Sequence, residues 1–301
     1  MTHSLAALAT EQSDPRYSGI DTLPTEEIAR LMNAADAAVP AAVGRAIPAI
    51  SAAIDAIAAR MADGGRLLYV GAGTSGRLAV LDASECPPTF GTHPDLVQGI
   101  IAGGEAALVR SVEGAEDDAE AGAAVIRDKH VGPLDSVVGI SASGRAPYVV
   151  AAVEQARRLG ALTVGLACNT GTPLTLAADH GIEVIVGPEV VTGSTRLKAG
   201  TAQKLVLNMI STITMIRSGR TYGNFMVDVV ASNSKLVDRA ARIVSEITGA
   251  QVLRAREVLE SAGRDVKTAV VMIERGVGAD EARKLLAAHG NRLGPALRSA
   301  R

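Results

Sequence analysis

Arg66-Leu-Leu-Tyr-Val-Gly-Ala-Gly-Thr-Ser-Gly-Arg77 is the stretch on which the reading of the chain turns. A short apolar run stops at glycines and small hydroxyl residues, the pattern of a buried strand, a tight loop and the start of a helix. The same grammar returns at Ser136-Val-Val-Gly-Ile140, which runs into Ser141-Ala-Ser-Gly-Arg145 and a helix through Arg158. Further strands are predicted from about Leu96 to Ala102, at Leu162-Thr-Val-Gly-Leu166 and at Glu183-Val-Ile-Val186. Strands alternating with helices predict an α/β, doubly wound, mainly parallel sheet with helices on both faces.

Upstream of that stretch, Pro24 to about Ala62 predicts helix, with Thr25 as N-cap and Glu26 and Glu27 in the first turn. Pro40 and Pro48 are expected to divide it, and Pro87-Pro88 to interrupt early the helix that follows Arg77. Downstream, Leu197 to Ile216 is apolar on nearly all sides and free of proline, which suits a central buried helix. From about Arg239 the pattern is helical only, with Ala250 to Ala262, Val266 to Glu274 and Ala279 to Ala288 as three short amphipathic helices. The expected organisation is a helical segment over 1–45, the α/β domain over 46–238 and a small helical domain over 239–301.

The chain has 301 residues, 48% of them hydrophobic and 21% charged, enough for roughly two domains with a buried core. Thirty Lys and Arg against 32 Asp and Glu leave a net charge of -2, and aromatic residues are 2% of the total. With no basic run and few rings to stack on bases, nucleic acid is not an expected partner. The apolar patch from Leu5 to Leu8 follows His3 rather than a basic cluster. No stretch reads as the roughly 18 apolar residues of a membrane span. Cys86 and Cys168 lack metal-ligand spacing and point to a reducing, cytoplasmic setting. His3, His93, His130, His180 and His289 are scattered, so no metal is expected.

The two loops, Thr74-Ser-Gly-Arg77 and Ala142-Ser-Gly-Arg145, echo each other. A loop at the carboxyl end of a parallel strand that opens a helix turns backbone N–H groups and a positive dipole end toward an anion. Hydroxyls add directed donors, so Gly73, Thr74 and Ser75 in one loop and Ser141, Ser143 and Gly144 in the other are candidates for holding a phosphate and part of a sugar. Each loop alone also reads as a simple turn. Gly71, Gly73 and Gly76 match the dinucleotide pattern G-x-G-x-x-G as well, with Glu105 as the acidic residue after the next strand; the bare pattern is weak.

For acid-base work the carboxylates in unusual company are Asp82, Glu85 and the cluster from Glu113 to Asp118. Glu116-Asp117-Asp118 reads first as a solvated helix start. Glu85, in Ala83-Ser-Glu-Cys-Pro-Pro88, has few polar neighbours in sequence, a setting in which a carboxyl can be held protonated and act as a general acid. Cys86 has no histidine near it in sequence and ranks low as a nucleophile.

The run Gly187-Pro-Glu-Val-Val-Thr-Gly-Ser-Thr-Arg-Leu-Lys-Ala-Gly-Thr-Ala-Gln-Lys204 resembles the signature shared by N-acetylmuramic acid 6-phosphate etherases and the glucokinase regulatory protein. Gly71 to Leu78, Leu81-Asp-Ala-Ser-Glu-Cys-Pro-Pro88, Ile101 to Glu105 continuing into Val112-Glu-Gly-Ala-Glu-Asp117, and Asn224 to Val230 are similar to the bacterial etherases in particular. The resemblance covers the chain to about Asn233 and implies a sugar-isomerase (SIS-type) fold. It also implies a lyase that cleaves the D-lactyl ether of N-acetylmuramic acid 6-phosphate, without redox cofactor or metal, working as a homodimer on a small amino sugar phosphate. Carried over residue by residue, it makes Glu85 and Glu116 the catalytic carboxylates, with Glu85 as acid and Glu116 as base. It further gives Ser75, Ser141, Ser143 and Ser194 to phosphate or sugar hydroxyls, and sets Glu189, Lys198 and Lys204 around the start of the central helix as binding candidates. A non-catalytic sugar-phosphate sensor and an aldose-ketose isomerase of the same fold are the alternatives.

Overall fold

The structure is a computed structural model that describes residues 8–231 and 233–298. Of the N-terminal apolar patch only Leu8 is among them, and it is buried. The chain divides into two compact units. The first comprises the chain up to Ser84 together with Asp95–Ser211; the second comprises Glu85–Pro94 and the chain from Thr212 onward. The division falls earlier than the expected 238/239 boundary because Val227 and Val229 pack into the apolar cluster of the C-terminal helices. No separate unit forms over 1–45, because Val39, Ala42 and Val43 already belong to a helix of the first unit.

The first unit is built on five parallel strands, β1 (Leu67–Gly71), β2 (Val97–Ile101), β3 (Ser136–Ile140), β4 (Leu162–Ala167) and β5 (His180–Glu183), in the order β2-β1-β3-β4-β5. The register sets Gly71 beside Ile140, so β1 and β3 end together. In that order the direction of winding reverses between β1 and β3, and the crevice at the carboxyl ends of those two strands is where such sheets take their ligands. Every residue of β1, β3 and β4 is buried, as strands covered on both faces require.

Two helices precede β1: α1 (Thr25–Asp36) and α2 (Val39–Ala62). Next come α3 (Gly73–Phe90), α4 (Ala106–Val109) and α5 (Ala119–Asp128) before β3, then α6 (Pro147–Arg158) before β4 and α7 (Pro173–Ala177) before β5. The long α8 (Lys198–Arg217) follows β5. One side of the sheet carries a core of Leu68, Val70, Val137, Ile126, Val149 and Val153, among others, with α5 and α6 packed together over it.

Several expectations need correction. Pro48 does not split its helix: it lies on the exposed side of α2, where water can take the carbonyl that its missing N–H leaves free. The break falls at Ala37 and Ala38, and Pro40 sits at the second position of α2, where no N–H is needed. Pro87 and Pro88 likewise lie inside α3, which ends only when the Gly91 N–H donates to the Pro87 carbonyl at 2.9 Å. Thr25–Ala62 is, by length and composition, apolar enough to cross a membrane. Here Ile50, Ala53, Ile54 and Ile57 of α2 are buried and the helix packs on β4 and β5, as a core helix does. The last strand ends at Glu183 instead of beginning there, because β4 stops at Ala167; Val184 adds one more N–H bond to the Ala167 carbonyl, 2.9 Å, and then no partner strand continues.

Among its described residues the second unit holds a two-stranded hairpin, β6 (Thr221–Tyr222) and β7 (Phe225–Met226), and five helices, α9 (Ser234–Thr248), α10 (Val252–Ser261), α11 (Val266–Arg275), α12 (Ala279–Ala288) and α13 (Leu293–Arg298). Two of these helices go beyond the three expected. Asn233 starts α9 by accepting the Leu236 N–H at 2.9 Å, an N-cap that the reading from Arg239 onward passes over. Inside this unit Lys267, 3% exposed, donates to Asp228 and to the Asn291 carbonyl at 2.8 Å, tying the hairpin segment to the helices.

Candidate active site

The site forms where β1 and β3 end. A cavity of about 290 Å³ is lined there by Gly73, Thr74 and Ser75 of the first loop and Ser141, Ala142 and Ser143 of the second. Glu116, Thr195 and Glu11 complete its polar wall. The two echoing loops are thus brought together, as adjacent parallel strands require.

Each loop is shaped by its glycines for a different reason. A Cβ on Gly76 would lie 2.6 Å from Ile101 Cγ1 and 2.8 Å from the Gly71 carbonyl oxygen, so the first glycines let α3 start directly against β1 and its neighbour. That close approach accounts for Gly71 and Gly76 of the G-x-G-x-x-G pattern by packing. Gly73 has φ +54° and open space where a Cβ would stand, so backbone is presented to the cavity. The first turn of α3 adds N–H groups that the helix itself leaves unbonded. In the second loop Gly144, at φ +68°, is pressed against Thr172, and its N–H donates to the Ser141 carbonyl at 3.0 Å and hydroxyl at 3.1 Å.

The hydroxyls differ too. Ser75, buried, donates to Oε1 of Gln203 on α8 at 2.9 Å. Ser141 and Ser143 lie 3.3 Å apart, and Ser143 accepts the Arg145 N–H at 3.3 Å while remaining half-buried.

Glu116 is placed by its backbone. Its carbonyl accepts the N–H of Tyr148, the second residue of α6, at 3.0 Å, an N–H that α6 cannot satisfy because its first turn has no earlier carbonyl. Asp118 caps α5 through the Ala121 N–H at 2.9 Å, so within the acidic run one carboxylate is a cap and another faces the cavity. A second cavity of about 200 Å³ shares Ala72, Gly73 and Glu116 with the first and is further lined by Arg77, Ser111, Val112 and Glu113. Glu85 belongs to the second unit and is exposed on α3, so the sheltered setting expected from its apolar sequence neighbours is corrected: the helix turns Cys86 inward and Glu85 outward.

The remaining candidates lie outside the lining of the 290 Å³ cavity, except through their neighbours. Glu189 is wholly buried and caps α8, accepting the Lys198 N–H at 3.0 Å and the Ala199 N–H at 2.9 Å. Lys198, 5% exposed, donates its ammonium to the Val186 carbonyl at 2.8 Å. Together they fasten the signature run to the start of α8. Ser194 is half-buried, with Thr195 beside it in the cavity wall. Lys204 is exposed, and its charge acts on Asp82. Burial raises the Asp82 carboxyl above its usual range, against the opposing hydrogen bonds of Asn208 at 2.6 Å, Ser211 at 3.2 Å and Tyr69, and the Lys204 charge. That network ties α3 to α8 within the first unit.

Glu11 was not singled out in the sequence. Its neighbour Thr10 is wholly buried and pairs with Asn169, whose amide donates to Thr10 Oγ1 and to the Ala142 carbonyl, both at 3.0 Å. The segment before α1 is thereby pinned to the second serine loop and delivers a second carboxylate, beside Glu116, to the cavity.

Known proteins share this architecture and sequence. The SIS domain model matches residues 115–213, and the glucokinase regulatory protein N-terminal SIS domain model matches residues 49–157. A phosphoheptose isomerase from Francisella tularensis superposes with a TM-score of 0.52 over 64% of this chain and 100% of its own, at 20% identity, which is a likeness of fold. The N-acetylmuramic acid 6-phosphate etherase of Streptomyces avermitilis is 58% identical over 98% of this chain and 95% of its own length. That of Rubrobacter xylanophilus is 57% identical over 96% of each. That of Escherichia coli is 52% identical over 97% of this chain and 98% of its own. With relatives this similar over nearly their whole length, the chain belongs to the N-acetylmuramic acid 6-phosphate etherase family.

Proposed function

We propose that the protein is a carbon-oxygen lyase that releases D-lactate from N-acetylmuramic acid 6-phosphate by elimination, then hydrates the product to N-acetylglucosamine 6-phosphate. The observation that carries this reading is Glu116 on the wall of a hydroxyl-lined cavity at the β1/β3 switch point, in a chain of this family. The phosphate and sugar hydroxyls are held by Ser141, Ser143, Thr74 and the N–H groups at the start of α3, where the positive end of the helix favours an anion. In the open-chain sugar the C1 aldehyde acidifies the C2 proton. Glu116 takes that proton as the C3–O bond breaks and a C2=C3 double bond forms. Glu85 gives its proton to the departing lactate oxygen, and water then adds at C3 while a proton returns to C2. Over the cycle one water is consumed and both carboxyl groups recover their starting states.

Glu189 and Lys198 act in this scheme by fixing the signature run, and Ser75 by joining the first loop to α8. Dimerisation and a cytoplasmic location are part of the proposal, the second favoured by two buried cysteines that form no disulfide. Burial, with the nearby Glu189 charge, pushes the Cys168 thiol up to about 12, which removes it as a nucleophile at neutral pH. The test is D-lactate release from N-acetylmuramic acid 6-phosphate: Glu116→Gln and Glu85→Gln are each expected to cut turnover by roughly a hundredfold or more, the scale for losing a general acid or base. In deuterated water the Glu116 variant should also lose C2 exchange. Near-normal turnover in either variant removes that residue from its role.

A further inference from the structure

The smaller cavity is where the structure says something the scheme above leaves unassigned. It joins the larger one through Ala72, Gly73 and Glu116, so Glu116 stands on the wall common to both. Its volume of about 200 Å³ corresponds to the liquid share of roughly seven waters at ~30 Å³ each, ample room for a three-carbon acid. Arg77 supplies its positive charge. The guanidinium is half-buried and steadied by Nε, which donates to the Leu108 carbonyl at 3.1 Å. Among the described residues no carboxylate lies within ion-pair distance of Arg77, although Glu113 and Glu116 line the same cavity and Glu113 accepts from Ser111 at 3.4 Å. An arginine fork anchored at one nitrogen, with its other donors available beside a small cavity, suits a planar, two-oxygen anion.

We infer that Arg77 is a specificity residue that binds the carboxylate of the lactyl group, so that the substrate lies across Glu116 with its sugar in the larger cavity and its ether substituent in the smaller. This rests on the etherase reading. It adds that the enzyme selects for the acid on the leaving group, and not only for the sugar phosphate. The two acidic residues of the small cavity make the selection sharper: without Arg77 a carboxylate would enter against their charge, whereas a neutral substituent would not.

The experiment compares N-acetylmuramic acid 6-phosphate with its lactamide analogue, in which the carboxylate is a carboxamide, on the wild-type chain, Arg77→Met and Arg77→Lys. The wild type should favour the acid by roughly a hundredfold in kcat/KM, the scale on which a site built for a charged partner rejects the analogue lacking it. Arg77→Met should lose most of that preference by slowing the acid alone, and Arg77→Lys should keep part of it. Val112→Asp, at a position 41% exposed and on the same cavity wall, tests the charge without touching Arg77, and should also depress the acid more than the amide. Equal losses on both substrates in the Arg77→Met and Val112→Asp variants, or no wild-type preference, would overturn the assignment. Ligand-observed NMR with D-lactate alone gives a readout that does not depend on turnover: binding to the wild type and not to a folded Arg77→Met variant is expected, and equal binding contradicts the proposal. Failure of the wild type to release lactate from either substrate would instead count against the etherase reading.

Discussion

At the end of β1 the Ser75 hydroxyl spans 128 residues of sequence to reach Gln203, whereas at the end of β3 the hydroxyls of Ser141 and Ser143 bond only within their own turn. The two loops carry the same Ser-Gly-Arg triplet at Ser75–Arg77 and Ser143–Arg145. In the first, the serine proton is committed to α8, the glycines close the strand against the helix, and the arginine reaches the smaller cavity. In the second, a proline opens the helix two residues after the arginine, the turn is self-contained, and Ser143 is left half-buried with a donor to offer. The serine of the first loop therefore helps to assemble the site, while in the second loop the serines bond only within their turn. A repeated motif identifies where a ligand binds without saying which copy touches it.

The largest effect that separates the loops should come from Gly76→Val. Its side chain would be driven into Ile101 and the Gly71 backbone, and a loss of about 3 kcal/mol in unfolding free energy is expected, at the upper end of overpacking costs. Denaturant unfolding measures it; a loss under about 1 kcal/mol would mean that β1 and α3 can move apart.

Smaller and opposite effects are expected from the serines. Ser75→Ala strands Gln203, 1% exposed, whose Nε2 has no hydrogen-bond partner among the described residues and whose Oε1 would lose its only one, at a cost of about 1–2 kcal/mol. Ser143→Ala should alter stability by less than about 0.5 kcal/mol, since Ser141 still serves Gly144, yet raise KM for the sugar phosphate roughly tenfold by removing a donor to a charged group. Thermal unfolding and steady-state kinetics on the pair decide it. If Ser75→Ala raised KM without destabilising the chain and Ser143→Ala did the reverse, the division of labour would be inverted.

Much of this was legible in sequence where the cause is local. The buried strands announce themselves as apolar runs before glycine, and the central helix as a proline-free apolar stretch that the structure places at Lys198–Arg217. The hairpin signal Gly223-Asn224 between Thr221–Tyr222 and Phe225–Met226 was present and weak, because two-residue strands carry no alternation to read. Proline misled at Pro48, Pro87 and Pro88, since a helix can keep its course past a lost hydrogen bond, and at Pro48 the freed carbonyl belongs to the exposed Gly44. In the site, the serine loops and the acidic run were readable. Glu11 was not, because it reaches the cavity through Thr10 and Asn169, partners 159 positions apart. Nor was the role of Glu189 legible: a carboxylate in a signature run looks like a ligand group until both its oxygens are seen on backbone N–H groups.

The most direct test of the whole account is the reaction run in oxygen-18 water with N-acetylmuramic acid 6-phosphate, followed by mass analysis of both products. Elimination of lactate and addition of water predict one solvent oxygen at C3 of the sugar product, beyond any exchange at the C1 aldehyde, and D-lactate with no label in its hydroxyl group. Label in the lactate hydroxyl, with none at C3, would mean that the ether is cut on the lactyl side and would contradict it.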